Sequence, residues 1–453
     1  MYRFIFHEVS IFLNLYTTSN GEVTYDILVR ENAYFTRAAS NPEGFMETNN
    51  NRHQSISSIR TILLIGLAVL IVAGGIVYFS KSRIAQPRSQ PHLNIPASSN
   101  DAMFGFDLQR THFYQAERIL NTTNVSRLIP YWSTPTAAYI NSSPAVVSGI
   151  VYIGSNDKAM YAFDAKTGKI LWAHNANDGV GSSPAVANGI VYVGSDDNNL
   201  YAFNARTGAT VWIYTTGGSV WSSPVVANGV VYVGSNDNVL YALDAATGKV
   251  LWTHTTDNFV SSSPAVVNGV VYVGSEDDKL YALDALTGKT IWISSVRLPF
   301  RVSSPAVANG MVYIGSEDRN VYAFNAETGK LQWKAPTGAL IHSSPAVANG
   351  MLYIGSTDNK LYAFDAITGK PRWTLTTGDR IYSSPTVANG IVYISSQDHK
   401  LYALDAISGA ILWTYTTGDA IDSSPAVVNG VVYVGSYDGK VYAFHLKISG
   451  EGK

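Results

Sequence analysis

Short apolar runs alternate with polar turns along residues 130–446, and the same order of runs returns about every 40 residues, a period typical of solenoids and propellers. In the unit that begins at Ser182, Asn188-Gly189 predicts a tight hairpin, because both central residues of a type I′ turn need positive φ. The β-branched and aromatic runs Ile190–Gly194, Leu200–Phe203 and Thr210–Thr215 follow and predict strands. With the apolar run before Asn188, each unit predicts four short strands and no helix.

Two markers keep these units in step. Ser-Ser-Pro recurs with its first serine at Ser142, Ser182, Ser222, Ser262, Ser303, Ser343, Ser383 and Ser423. A tryptophan recurs on the same spacing at Trp132, Trp172, Trp212, Trp252, Trp292, Trp333, Trp373 and Trp413. One extra residue separates Trp292 from Ser303. Periodic large aromatic residues are typical of core packing, so the tryptophans are expected between neighbouring sheets.

The pattern predicts an all-β, eight-bladed β-propeller of four-stranded antiparallel blades. A four-stranded sheet that is apolar on both faces must be covered on both sides by a similar sheet, and radial stacking does this. Trp132 precedes the first Ser-Ser-Pro, and no tryptophan follows Val441–Phe444. The strand around Trp132 is therefore predicted to complete the last blade beside Val441–Leu446 and to close the ring.

Acidic and amide residues also recur in the turns of the units. One aspartate stands in the second turn of every unit, and an aspartate or asparagine precedes each Thr-Gly, as at Asp164 and Asn204. Because a turn built eight times is a simpler explanation than a function repeated eight times, we interpret these residues as acceptors for backbone N–H groups. The turn aspartates are Asp157, Asp197, Asp237, Asp277, Asp318, Asp358, Asp398 and Asp438.

The string from Tyr241 to Trp252, Tyr-Ala-Leu-Asp-Ala-Ala-Thr-Gly-Lys-Val-Leu-Trp, resembles the PQQ-like β-propeller repeat. That repeat family includes quinoprotein alcohol dehydrogenases and the outer-membrane assembly factor BamB. The lead-in, residues 101–129, is similar to the segment that enters the first blade in those dehydrogenases. The residues that carry this likeness are Phe106-Asp107, Arg110–Phe113, Ile119, Asn124-Val125, Leu128 and Trp132. The resemblance implies an extracytoplasmic bacterial propeller.

The chain departs from both relatives in features that carry their functions. It has no cysteine, whereas the dehydrogenases hold PQQ under a disulfide and BamB is anchored through an N-terminal cysteine. The units are bare, without the insertions that shape the dehydrogenase pocket. No calcium-ligand set can be placed by motif. The resemblance therefore does not assign the function of either relative to particular residues of this chain.

An uncharged apolar run lies between Arg60 and Lys81 and is long enough to span a bilayer as a helix. We predict one transmembrane helix at residues 59–80; the alternative is a cleaved signal peptide, but no small-residue cleavage site follows. Residues 81–100, with three prolines, are predicted to be a tether. Residues 1–58 show no clear domain, residues 1–45 are interpreted as a mis-called start before Met46, and residues 447–453 are a tail.

The flanking charges favour a cytoplasmic propeller only weakly, and the family resemblance favours the outside. We expect a single-pass protein of the cell membrane with an extracytoplasmic propeller. Charged residues make up 14% of the chain and the net charge is −2, which argues against nucleic acid as a partner. The lack of cysteine excludes disulfides, thiol catalysis and cysteine-bound metals.

One position varies on the fixed background of the repeat, directly before each Ser-Ser-Pro. If the first strand of a blade is the innermost, these side chains surround one mouth of the channel. They are Asn141, Gly181, Trp221, Ser261, Val302, His342, Tyr382 and Asp422. Two aromatic residues, an imidazole and a carboxylate suit a ligand site, and the loop that ends at Arg301 is expected to overhang it. The alternative is a hydrated mouth without a ligand. We predict ligand contacts at Asn141, Trp221, Arg301, His342, Tyr382 and Asp422, with no catalytic residue and no metal.

Two functions remain open from the sequence. The first is a membrane-tethered binding or scaffold propeller, a BamB-like platform with a protein partner at the cell envelope and no cofactor. The second is a dehydrogenase of alcohols or sugars that uses PQQ and calcium, with Asp422 as general base. Asp422 is the one carboxylate among the varying residues, and calcium needs several oxygen ligands. The sequence therefore favours the first.

Overall fold

The structure is a computed structural model that describes three N-terminal strands and residues 102–297, 299 and 303–447. The chain divides into two compact units, Met1–Pro91 and His92–Lys453. In the first unit, Tyr2–Phe6, Val9–Thr17 and Val23–Glu31 form an antiparallel sheet in that order. The predicted transmembrane helix, the tether, the tail and Arg301 lie outside the described residues. Among the residues that are described, no helix has both the length and the apolar character to cross a bilayer.

The second unit contains eight four-stranded antiparallel blades, as predicted. Blades 1 to 4 have strands Ala145–Val147, Ile150–Gly154, Ala159–Asp164 and Ile170–Asn175; Ala185–Ala187, Ile190–Gly194, Asn199–Asn204 and Thr210–Thr215; Val225–Ala227, Val230–Gly234, Val239–Asp244 and Val250–Thr255; and Ala265–Val267, Val270–Ser275, Lys279–Asp284 and Thr290–Ile293. Blades 5 to 8 have strands Ala306–Ala308, Met311–Gly315, Asn320–Asn325 and Leu331–Pro336; Ala346–Ala348, Met351–Ser356, Lys360–Asp365 and Pro371–Thr376; Thr386–Ala388, Ile391–Ser395, Lys400–Asp405 and Ile411–Thr416; and Ala426–Val428, Val431–Gly435, Lys440–Leu446 and Leu128–Pro135.

The ring is closed by the strand around Trp132, as predicted. Leu128–Pro135 pairs with Lys440–Leu446, and Trp132 lies opposite Ala443. First strands of successive blades contact each other all the way round, and the first strand of blade 8 contacts that of blade 1. The first strands are therefore innermost, and every contact that closes the ring lies within residues 102–447. This unit contains all the packing that it needs to fold alone.

The repeated tryptophans join neighbouring blades, which confirms their predicted place. Each indole N–H donates to a backbone carbonyl of the next blade, as from Trp172 to Ala205 at 2.9 Å and from Trp413 to Leu128 at 3.0 Å. The glycine of the next blade's Thr-Gly turn packs under the ring: a Cβ on Gly168 would lie 2.6 Å from Trp132. Gly168 also has φ of +68°, so both its backbone and its neighbour require glycine there.

The second serine of each Ser-Ser-Pro forms a belt of hydrogen bonds around the channel. Its backbone N–H donates to the hydroxyl of the corresponding serine in the next blade, beginning with Ser143 to Ser183 at 2.9 Å. The last bond, from Ser424 back to Ser143 at 3.0 Å, closes the belt. The intermediate bonds join Ser183, Ser223, Ser263, Ser304, Ser344, Ser384 and Ser424. The motif thus serves the scaffold.

The turn residues also behave as predicted. Asn188 and Gly189 have φ of 51° and 75°, as a type I′ turn requires. Asp197 accepts the backbone N–H of Asn199 and of Asn177, which belongs to the preceding blade. Asn204 accepts the N–H and hydroxyl of Thr207. These side chains stabilise the turns of the repeat.

The lead-in closes one end of the channel. It runs across the end at which the Asn-Gly turns lie, and bonds in succession to the first strands of blades 2, 4, 5, 6 and 7, from Ala102–Val186 to His112–Val387. Phe113–Tyr114 then pairs in parallel with Val387–Ala388. We call this end of the ring the plug face, and the opposite end, at which the Ser-Ser-Pro motifs lie, the rim face.

Arg110 fills the channel from the plug face. Its side chain is 1% exposed and donates to the carbonyls of Ser223, Pro264 and Phe104 at 2.7, 2.5 and 2.9 Å. Burial lowers its pKa to about 9. The backbone φ of 52° at Arg110 and at His112 is a strained conformation that turns these side chains into the ring.

Candidate functional site

The rim face is built from two interleaved sets of variable residues. One set is the predicted position before each Ser-Ser-Pro. The other stands before the turn aspartate in Gly-Ser-x-Asp or its variants, and its members are Asn156, Asp196, Asn236, Glu276, Glu317, Thr357, Gln397 and Tyr437. Each hydrogen bond or ion pair described below joins a residue of the first set to one of the second, in its own or the preceding blade. We call the two sets together the rim.

Trp221 is the most exposed aromatic residue of the rim, with half of its surface in solvent. Its indole N–H donates to the Asp196 carboxylate at 2.7 Å. Burial raises the pKa of Asp196, and this hydrogen bond opposes the rise. Trp221 is therefore held in one orientation while its face stays accessible.

Ser261, in the next blade, continues this arc of the rim. Its hydroxyl contacts Glu276 at 2.7 Å and Asn236 at 3.3 Å. Phe259, two residues before it, is 40% exposed. Blades 2 to 4 thus present exposed aromatic rings beside carboxylates, and we call Asp196, Trp221, Phe259 and Glu276 the acidic aromatic arc.

His342 and Tyr382 lie together on another arc of the rim. Their rings meet edge to face with centroids 5.3 Å apart. His342 Nε2 lies 3.2 Å from the Glu317 carboxylate, so the imidazole is bracketed by an aromatic ring and an acid.

Asp422 completes that arc in blade 8. It accepts the Tyr437 hydroxyl at 2.6 Å and the Gln397 amide at 3.2 Å. Burial raises the pKa of Asp422, while the two hydrogen bonds and the charge of His342 oppose the rise. Tyr437 also contacts Tyr139, with centroids 5.1 Å apart. This carboxylate is held by one donor of its own blade and one of the preceding blade.

The structure therefore brings together only part of the predicted site. His342, Tyr382 and Asp422 share one arc, whereas Trp221 is tied to Asp196 in blade 2 and Asn141 to Asn156 at 2.8 Å. Arg301 lies outside the described residues. Sequence reasoning missed the second set, although it carried the same signal, variation beside fixed neighbours in Gly-Ser-x-Asp.

The donors present at Asp422 do not fit a calcium ion beside a quinone. Calcium takes about six to eight oxygen ligands, and both oxygens of Asp422 already accept hydrogen bonds. Across the described part of the chain, no three or more acidic or histidine side chains converge into a group that could hold a metal.

A cavity of about 300 Å³ lies on the plug face, away from the rim. The lead-in residues Asp107, Gln109 and Thr111 line one side, and the turns at Asn268, Asn309 and Asn349 line the other. Burial raises the pKa of Asp107 to about 6, although its carboxylate accepts the hydroxyl and N–H of Thr111. The cavity and the rim occupy opposite ends of the ring.

Solved structures share this fold. A europium-containing methanol dehydrogenase superposes with a TM-score of 0.68 at 15% identity, over 77% of this chain and 98% of its own. A quinohemoprotein alcohol dehydrogenase from Comamonas testosteroni gives 0.68 at 17% identity, over 78% and 82%. BamB from Moraxella catarrhalis gives 0.58 at 21% identity, over 70% and 99%. At these identities the likeness establishes the fold alone.

No curated protein matches the sequence. A family model described as outer membrane protein assembly factor BamB does match, at residues 130–223, 161–264, 257–343, 299–379 and 335–450. These matches follow one another around the whole ring and cover most of the chain. The chain therefore belongs to the PQQ-like β-propeller family described as outer membrane protein assembly factor BamB.

Proposed function

We propose that this protein is a membrane-anchored, extracytoplasmic binding module that holds a protein partner on its rim, as a platform of the cell envelope. The observation that carries the proposal is Trp221, half exposed and fixed by its 2.7 Å hydrogen bond to Asp196. Tryptophan is enriched among the residues that dominate binding energy. Because the hydrogen bond orders the side chain beforehand, little conformational freedom is lost when a partner covers it.

The charges of the arc favour a basic partner segment. Asp196 and Glu276 flank the exposed rings of Trp221 and Phe259. Aromatic faces attract cations, and carboxylates attract and orient them. A lysine- or arginine-containing loop with an apolar side chain fits this chemistry.

The closed channel supports a platform rather than a passage. The lead-in and the side chain of Arg110 fill the plug end, so a ligand at the rim meets a floor. The membrane anchor of the proposal rests on the apolar run at 59–80, and the extracytoplasmic side rests on family membership.

The dehydrogenase alternative has one observation in its favour, the partly buried Asp422, whose pKa is raised by burial. A raised carboxylate pKa is a property of general bases. The structural neighbours include alcohol dehydrogenases. The oxygen donors around Asp422 nevertheless do not fit calcium, so we derive no reaction step from this carboxylate.

Site-specific crosslinking tests the proposal. The chain has no cysteine, so Phe259→Cys carries a single photo-crosslinker on the same arc as Trp221. We expect one recurrent adduct from cell envelopes, with a yield at least about tenfold lower when Trp221→Ala is added. Leu251→Ala on the outer edge of blade 3, where the residue is 52% exposed, is the matched control and leaves the yield unchanged. An adduct whose yield is unchanged by Trp221→Ala would refute the rim as the binding surface.

A second assay separates the two functions. PQQ and calcium are added to the full-length protein, and dye-linked oxidation of alcohols and aldoses is measured with Asp422→Asn as control. We expect no turnover above the background. Turnover that the substitution abolishes would replace the binding function with the enzymatic one.

A further inference from the structure

The three most exposed large apolar side chains among the described residues occupy the same position of the repeat. Leu286, Ile367 and Ile407 are 86%, 63% and 87% exposed, and each is the x of Asp-Ala-x-Thr-Gly or Asp-Ala-x-Ser-Gly. The position is variable, with lysine, arginine, alanine or glutamate in other units. The repeat therefore does not require an apolar residue there, and three such side chains in water need another explanation.

All three lie on the plug face. The turn that holds them joins the third and fourth strands, and antiparallel pairing brings it to the same end as the Asn-Gly turns, as the bond from Ala285 N–H to the Gly269 carbonyl shows. Ile119 of the lead-in, 51% exposed, packs on Gly430 of the same face. The plug face thus carries apolar tips in blades 4, 6, 7 and 8.

Exposed cations stand in the same turns of the repeat in blades 1 to 6, whereas the turn of blade 7 has none. They are Lys166, Lys169, Arg206, Lys249, Lys289, Lys330 and Lys370. The carboxylates of the same turns are less exposed than the lysines and accept bonds from the turn itself, as Asp284 does from Thr287. At the variable position x of this turn, blade 5 has an acidic residue, Glu327, where the other blades have apolar or basic residues.

The geometry points to a lipid surface: we propose that the plug face docks on a membrane that contains anionic phospholipids, with Leu286, Ile367 and Ile407 inserted among the headgroups. Aliphatic tips surrounded by lysine and arginine are the chemistry of interfacial binding. The rim then points away from the membrane.

Vesicle binding by residues 92–453 tests this without the predicted anchor. We expect sedimentation with vesicles of phosphatidylcholine and phosphatidylglycerol, little with phosphatidylcholine alone, and release by salt. The triple variant Leu286→Ser, Ile367→Ser, Ile407→Ser is expected to bind at least about thirtyfold more weakly. The matched control changes Val211, Leu251 and Ile291, exposed at 44%, 52% and 49% on the outer edge, to serine and leaves binding unchanged. Glu327→Lys is expected to tighten binding.

A positional readout completes the test. In the cysteine-free full chain, a fluorophore at Leu286→Cys is expected to be quenched by brominated lipids, and one at Tyr139→Cys on the rim to remain unquenched. Equal binding by the triple variant, indifference to anionic lipid, or quenching at the rim label would overturn the proposal. Rim crosslinking to the partner is measured on the same triple variant, and its persistence separates a failure of membrane docking from a failure of the rim function.

Discussion

The two ends of the central channel are formed by the same repeat, but different residues cover them. At the plug face, the lead-in supplies one non-repeated segment, whose Arg110 is buried and donates to carbonyls of the wall. At the rim, no such segment among residues 102–297 and 303–447 covers the ends of the blades, and variable side chains of the repeat itself contact one another, as Trp221 contacts Asp196.

This difference separates stability from recognition. Eightfold repetition alone gives eight equal surfaces, so a unique site requires either an extra segment or variation within the repeat. At the plug face an extra segment is present, and its polar groups are buried. At the rim the repeat itself varies, and aromatic rings remain exposed to solvent. Substitutions at the plug should therefore affect folding, and substitutions at the rim should affect binding.

The largest effect is expected at Arg110. Arg110→Met removes the guanidinium donors and leaves the carbonyls of Ser223 and Pro264 buried without their partner, which costs about 3–4 kcal/mol of unfolding free energy. Urea denaturation measures it. Arg127, in the same lead-in but exposed, is the control, and Arg127→Met should change stability by less than about 0.5 kcal/mol. Equal stabilities for the two variants would contradict the account of the plug.

A smaller effect is expected at two turns of blade 1 on the plug face. Gly168 and Gly149 both have positive φ, 68° and 76°, but a Cβ on Gly168 meets Trp132 at 2.6 Å whereas Gly149 has nothing within 4 Å. Gly149→Ala should cost about 1 kcal/mol through backbone strain. Gly168→Ala should cost about 3 kcal/mol, because the indole must also move. Thermal or urea unfolding of the two variants measures the difference. Equal losses of unfolding free energy would show that packing against the tryptophan does not contribute to stability.

The plug also predicts a pH dependence. Burial raises the pKa of Asp107 to about 6 in the folded protein, above the unfolded value of about 3.9. The folded state therefore holds this proton more tightly, and stability falls as pH rises from about 4 to 6, by about 2 kcal/mol or less because the side chain is partly exposed.

The difference in unfolding free energy between the wild type and Asp107→Asn, measured across this range, isolates that contribution. Asp365 gives a contrast, because Arg372 lowers its pKa to about 2 and its stabilisation is lost only as pH falls towards that value. A wild-type and Asp107→Asn difference that stays constant from pH 4 to 7 would contradict the assignment to Asp107.

The smallest effect on stability is expected at the rim. Trp221→Ala removes a half-exposed ring and one hydrogen bond, so the unfolding free energy should change by less than about 0.5 kcal/mol while partner crosslinking is lost. A stability loss like that of Arg110→Met would mean that the rim belongs to the scaffold.

The candidate site was predictable in part. The position before Ser-Ser-Pro could be found because its residue changes while its neighbours do not, and the structure places the described members on one face. The partners of those residues were not predicted, because Asp196 and Trp221 stand 25 positions apart and meet only where two blades adjoin. The role of Arg110 was hidden for the same reason, since its carbonyl partners in the wall, Ser223 and Pro264, are more than 100 positions away.

The sequence by itself determined the strands, the turns, the number of blades and the strand that closes the ring. These features depend on short-range signals, such as Asn-Gly hairpins and alternation, that repetition presents eight times. Only the tertiary structure decided which end is sealed, which variable residues become neighbours, and that the exposed Leu286, Ile367 and Ile407 share one face. The physical reason is that radial closure brings residues of different blades together, and no local pattern in the chain encodes the identity of a neighbour across the ring.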